Sequence, residues 1–203
     1  MKKNRRQGSQ EETARETENE KKPRSIWREF LPYIIIFAVA ILFRVFILIN
    51  ATIPSESMED TIQTGSRAMG LKCAYWFSEP ERGDIIVFYA PDEPETLYVK
   101  RVIGVPGDTV EIVGGIVYLN GEALEELYLK EEMEEEEAGP YVVPEDSYFV
   151  MGDNRNNSLD ARYWENTYVT SEMIVGKLYF SYWPTLDWLA DSDGETFTGI
   201  AEP

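Results

Sequence analysis

The sequence predicts a mainly β domain carried behind a single membrane-spanning helix. Three observations point that way. A mostly apolar run of nineteen residues, Leu31 to Ile49, interrupted only by Arg44, precedes everything that looks globular. Beyond Ala51, short runs of β-type residues recur between turn signals. Charge divides the chain, with nine Lys/Arg against five Glu in residues 1–28, but nine Lys/Arg against 31 Asp/Glu in residues 51–203.

Residues 1–28 read as a basic, unstructured tail. Between residues 7 and 24 there is no aromatic side chain and no aliphatic one larger than Ala, too little apolar surface to offset the entropy of ordering. Residues 29–50 read as the transmembrane helix, since nineteen mostly apolar residues at about 1.5 Å each match a hydrocarbon core of roughly 30 Å. Pro32 is expected in the first turn, where it is tolerated, and Arg44 near the outer end, where it can snorkel. Trp27 and Tyr33 suit an interface, and Lys21, Lys22, Arg24 and Arg28 mark that side as cytoplasmic by the positive-inside rule. A cleaved leader would have a shorter apolar region of about 7–15 residues behind a short basic start, so a permanent anchor is the expectation.

Residues 51–203 then form one extracytoplasmic domain. Its predicted strands are ATIPS, DIIVFYA, LYVKRVIGV, DTVEIV, GIVYLNG, YVVP, SYFVMGDN and VGKLYFSYW. Turns at Arg82-Gly83-Asp84, Pro106-Gly107-Asp108, Gly114-Gly115 and Asn120-Gly121 separate them. A smaller inserted β and acidic segment is expected at about 105–140. Within it Glu122 to Glu137 holds nine glutamates in sixteen residues and reads as an exposed loop or short helix with a solvated face.

Composition narrows the chemistry before any motif is read. The chain has no histidine, which removes Ser-His-Asp, Cys-His and His-dependent metal chemistry and leaves Lys, Asp, Glu or Tyr as the base. The single cysteine, Cys73, can form neither an intrachain disulfide nor a zinc knuckle and reads as a small buried apolar residue. An acidic body repels phosphate backbones, so nucleic acid is not an expected partner.

Three segments concentrate reactive side chains. The first, Pro54-Ser55-Glu56-Ser57-Met58, begins a few residues past the apolar run, so the chemistry of Ser57 would occur near the lipid surface. In the second, Leu97-Tyr98-Val99-Lys100-Arg101-Val102-Ile103, strand alternation sends Lys100 and Arg101 to opposite faces. A desolvated Lys100 could fall from about 10.4 toward 7–8 and act as a base, which Arg101 cannot do. The third, Tyr148-Phe149-Val150-Met151-Gly152-Asp153-Asn154-Arg155-Asn156-Asn157-Ser158-Leu159-Asp160-Ala161-Arg162, lacks the acidic spacing and terminal Glu of a calcium loop.

In order, PSESM, RGDIIVF, YVKRVIGVPGD, MGDNRNNSLDAR and GKLYFSYWP resemble the type I signal peptidase family of the bacterial general secretion pathway, from Ile53 to Pro184. The resemblance implies a signal-peptidase-like β-sheet catalytic ectodomain and a Ser-Lys dyad, with Ser57 as nucleophile and Lys100 as general base. It implies an oxyanion hole from the Ser57 N–H and the Ser55 hydroxyl, and Ser158 orienting the Lys100 amine. Asp160 with Arg162, and Arg101 with Asp153, would brace the strands. No cofactor and no metal are implied. Substrates would be preproteins with small residues at the first and third positions before the cut, bound extended near Ile53 to Ser57 and Leu97 to Lys100. The bilayer and the secretion translocon would be partners. Two positions depart from the family pattern: Asp60 stands where Pro is common and Ala161 where Ser is common. A self-cleaving repressor-type Ser-Lys protease and a catalytically dead membrane scaffold are the alternatives, the first disfavoured by the bilayer span and the acidic body.

Overall fold

The computed structural model describes residues 26–189. The expected unstructured tail up to residue 25, with Lys21, Lys22 and Arg24 of the basic cluster, lies outside the described residues. Two compact units divide the chain, one ending at Leu42 and the next beginning at Phe43.

Helix α1 runs Ile26–Phe46. Its segment Glu29–Phe46 is long and apolar enough to cross a membrane, and its large apolar side chains from Phe30 to Phe46 are exposed. Pro32 sits inside the helix rather than in its first turn, because the helix starts six residues before it. Arg44 lies in the last turn. The apolar run outlasts the helix. Leu48, Ile49 and Asn50 belong to strand β1, Leu48–Thr52, where Leu48 pairs with Leu71 and Ile49 enters the core. Hydrophobicity alone cannot separate an exposed apolar helix from the buried strand that continues it.

The strands that follow are β2 (Arg67–Leu71), β3 (Ile85–Tyr89), β4 (Leu97–Gly104), β5 (Thr109–Val113), β6 (Ile116–Leu119) and β7 (Glu122–Ala123). Then come β8 (Ala138–Val142), β9 (Ser147–Met151), β10 (Val169–Thr170), β11 (Ile174–Trp183) and β12 (Asp187–Trp188). The main sheet has the order β1-β2-β11-β3-β4-β9-β10, with β12 against β11, and a second sheet has the order β7-β6-β5-β8. Every pairing is antiparallel. The prediction of a mainly β fold therefore holds.

Strand β3 reads IIVFY and is buried from Ile85 to Phe88, as a central strand covered on both faces must be. On one side Phe88, Val102, Phe149 and Val150 pack with Val110, Ile112 and Val117 of the second sheet, so the two sheets share a core. On the other, Ile85, Val87 and Leu178 pack with Ile53, Met58 and Ile62, which pins the PSESM loop to the sheet. Burying such side chains stabilises by about 1.5–3 kcal/mol each.

Strand β2 was invisible in the sequence because Arg-Ala-Met-Gly-Leu has weak β propensity. Its place between β1 and β11 needs Gly70, where a side-chain carbon would collide with the Lys177 carbonyl. The inserted segment takes shape as the second sheet. Its Glu-rich part is an irregular strap from Leu124 to Glu137, neither helix nor wholly solvated, because Leu124, Tyr128 and Met133 are buried. Cys73 is half-buried in a short 3-10 helix, Lys72–Tyr75, and not in the core.

Candidate active site

Ser57 follows β1 by five residues in a loop held from below. The fully buried Met58 and Ile62 anchor it, and Ile62 N–H donates to the Met58 carbonyl (2.7 Å). This leaves Ser57 Oγ at the rim with 8% of the residue exposed, in a hydrogen bond with Ser55 Oγ (3.3 Å). Its carbonyl accepts from Asn154 N–H (3.0 Å), and the Glu56 carbonyl accepts from Asn154 Nδ2 (3.1 Å). Those two bonds join the first segment to the third.

Strand β4 carries Lys100 opposite Ile86 and Arg101 opposite Ile85. Successive strand residues take opposite faces, so the two cations separate as the alternation requires. Lys100 is 4% exposed. Burial lowers its pKa to about 8, with Asp160 and Asp153 pulling it back up and Arg162 pushing it down. A lysine in that range exchanges its proton near neutral pH.

Ser57, Ser55 and Lys100 line one cavity of about 1010 Å³. It extends along Leu48 to Met58 on one side and Thr96 to Lys100 on the other. Much of its lining is apolar, with Leu48, Ile49, Ile53, Met58, Val87 and Leu97 among the residues that form it.

Behind Lys100 lies a buried ionic cluster. Arg101 forks onto Asp153 through Nε (2.8 Å) and Nη2 (2.7 Å) and donates to the Gly83 carbonyl (2.9 Å). Asp160 accepts from Arg162 Nε (2.8 Å) and Nη2 (3.0 Å) and from Gly152 N–H (3.0 Å). Burial alone would raise the Asp160 pKa, but the Arg162 guanidinium and the Gly152 N–H hold it below the ordinary value. Both ion pairs read from the sequence are therefore formed. Ser158 differs: its Oγ is buried beside Gly152, where it helps to hold the Asp160 pKa down without a hydrogen bond of full geometry, so no bond to Lys100 is in place.

The family model for signal peptidase, peptidase S26, matches residues 26–183. The chain belongs to that family. Among its relatives, a probable signal peptidase I-2 of Synechocystis is 39% identical over 86% of this chain and 82% of its own length. Signal peptidase I of Leptolyngbya laminosa is 41% identical over 70% of this chain and 71% of its own, and that of Bacillus licheniformis 35% over 83% and 95%. Family membership makes the chain a serine endopeptidase of the signal-peptide-removing class.

Within this family member the two departures have quiet surroundings. Asp60 is exposed, and Ala161 is fully buried in the core, its N–H on the Val150 carbonyl (3.3 Å). The RGD sequence is a structural turn. Arg82 forks onto Asp108 (2.6 and 2.8 Å), and Asp84 accepts from Tyr75 and pairs with Lys177.

Sequence reading missed four residues that touch this machinery. Thr61 Oγ1 donates to Asp153 (2.5 Å). Arg155, 2% exposed, forks onto Glu126 (2.5 and 2.7 Å), and Tyr128 lies with its ring centroid 3.9 Å from the Arg101 guanidinium carbon. Arg155 could have been flagged as a second arginine in a polar turn. Glu126 could not, being one glutamate among nine.

Proposed function

We propose that the peptidase removes signal peptides by a dyad in which Ser57 attacks the scissile carbonyl and neutral Lys100 accepts its proton. The observation that carries this is the meeting of Ser57 and Lys100 on one cavity with the lysine pKa lowered to about 8. The Ser57 oxygen bonds to the carbonyl carbon and its proton passes to Lys100 Nζ. Collapse of the tetrahedral intermediate returns that proton to the leaving amine. Water then repeats the sequence on the acyl-enzyme, again with Lys100 as base. The Ser57 N–H and the Ser55 hydroxyl receive the developing oxyanion, each donor worth about 10²–10³ in rate. Ser158, a buried hydroxyl beside Asp160 with no hydrogen bond of full geometry, accepts from the Lys100 amine as it turns toward Ser57.

Extended substrate adds a strand between the Ile53 to Ser57 side and the Leu97 to Lys100 side, with alternate small side chains at the first and third positions before the cut entering the cavity. The helix segment Glu29–Phe46 anchors the enzyme with its amino terminus cytoplasmic, and only ten residues separate Phe46 from Ser57. The reaction thus sits beside the bilayer and the translocon that deliver preproteins.

Detergent-solubilised enzyme tested on a preprotein with Ser57→Ala and Lys100→Ala decides the matter. Both substitutions are expected to abolish cleavage, and cleavage surviving either one would end the dyad reading.

A further inference from the structure

We infer that the Glu-rich strap, residues 124–137, is a positioning element for the catalytic dyad, acting through Glu126 on Arg155 and through Tyr128 on Arg101. The inference rests on the Ser57/Lys100 reading and adds residues which no segment resemblance pointed to.

The strap covers the side of the ionic cluster behind Lys100. Arg155 Nη1 and Nη2 fork onto Glu126, Nη2 also reaches the Tyr128 hydroxyl (3.3 Å), and Nε donates to the Gly152 carbonyl (3.0 Å). Gly152 is the tightest point of the site, since a Cβ there would collide with the Ser57 carbonyl and the Ser158 hydroxyl. Glu126 therefore fixes the guanidinium that holds the Gly152 carbonyl, while Asp160 and Arg162 hold its N–H. The Tyr128 hydroxyl donates to the same Glu126 oxygen (2.5 Å), and its ring packs on Arg101, whose neighbour in β4 is Lys100. A buried cation on an aromatic face is held by attraction to the ring's electron-rich face.

Two further ties hold the strap down. Arg162 donates to Met133 Sδ (3.3 Å) and Glu136 (2.9 Å). Asn156 donates to Glu131 and to the Glu132 carbonyl (3.1 Å each) and accepts from Glu134 N–H (2.9 Å). Exposed glutamates such as Glu125 and Glu135 take no part.

The reason for the arrangement is charge and tolerance. Lys100 faces Asp153, Asp160, Arg162 and, at 5.9 Å, the Tyr98 ring. Without Glu126, the buried Arg155 keeps only neutral partners and draws on Asp153, already engaged by Arg101. Lys100 would then lose part of the charge that favours its ammonium. A misplacement of about 1 Å at a reacting centre can cost 10²-fold.

The test uses the full-length enzyme in detergent with a preprotein, at temperatures well below unfolding. Glu126→Gln is expected to lower kcat about tenfold or more with KM within about twofold, and to move the acid limb of the pH profile to lower pH. Tyr128→Leu should lower kcat similarly, whereas Tyr128→Phe, which keeps the ring, should restore at least half. Glu125→Gln and Glu135→Gln should match the unsubstituted enzyme. Tyr128→Leu removes no charge and carries the comparison should Glu126→Gln misfold. If the two variants lose thermal stability but keep kcat and the position of the limb, the strap is only structural and the inference falls. Cleavage by Lys100→Ala would instead overturn the dyad reading beneath it.

Discussion

Replacing Lys100 by Met is expected to abolish cleavage and to stabilise the protein. The drop of the Lys100 pKa from 10.5 to about 8, at about 1.4 kcal/mol per pH unit, means that holding the ammonium in the fold costs on the order of 3 kcal/mol. Burial is its largest cause, and Met fills similar volume with no charge to desolvate. Because the folded pKa lies below the unfolded one, the unfolded chain binds the extra proton between about pH 8 and 10.5, and stability rises with pH across that window. The penalty is fully present below pH 8 and gone above 10.5. Thermal unfolding of the full chain in detergent, against Lys100→Met, should therefore show the variant higher at pH 7 by about 2–4 °C per kcal/mol recovered. That gap should close between pH 8 and 10.5. A variant no more stable at pH 7, or a gap unchanged to pH 10.5, would refute the claim that desolvation sets the lysine. The same value requires activity to rise with pH: about one-tenth of Lys100 is neutral at pH 7 and about nine-tenths at pH 9.

Gly152→Ala places a methyl against the Ser57 carbonyl and the Ser158 hydroxyl, both part of the site. A loss of about 1–3 kcal/mol in denaturant titration is expected, with a larger fall in kcat than in substrate binding. Ser158→Ala removes a buried hydroxyl that lacks a hydrogen bond of full geometry and only helps to hold Asp160 low, so stability should change little while kcat falls about 10²-fold or more if the hydroxyl steers the Lys100 amine; unchanged kcat would leave it no role.

The long apolar helix, the mainly β body and the ordered motifs were legible because each is a local pattern. An apolar run of lipid-spanning length, alternating strands and Gly-bearing turns need no knowledge of distant contacts. Missing histidine pointed to a lysine base for the same reason, since composition has no geometry. Alternation even separated Lys100 from Arg101, as strand residues one apart cannot share a face.

What folding alone decided lies in contacts between residues far apart in the chain. Strand β2 exists because β1 and β11 close around Gly70, a steric fact with no local signature. The apolar run splits into helix and strand at Phe46 because Leu48 finds Leu71, more than twenty residues on. The acidic strap looked like a solvated surface because glutamate is usually exposed; three buried arginines, Arg101, Arg155 and Arg162, draw parts of it inward. Sequence supplied the nucleophile and base as candidates. Tertiary structure supplied the burial that lowers the Lys100 pKa against the upward pull of Asp160 and Asp153, because desolvation depends on everything packed around a residue and not on its neighbours in the chain.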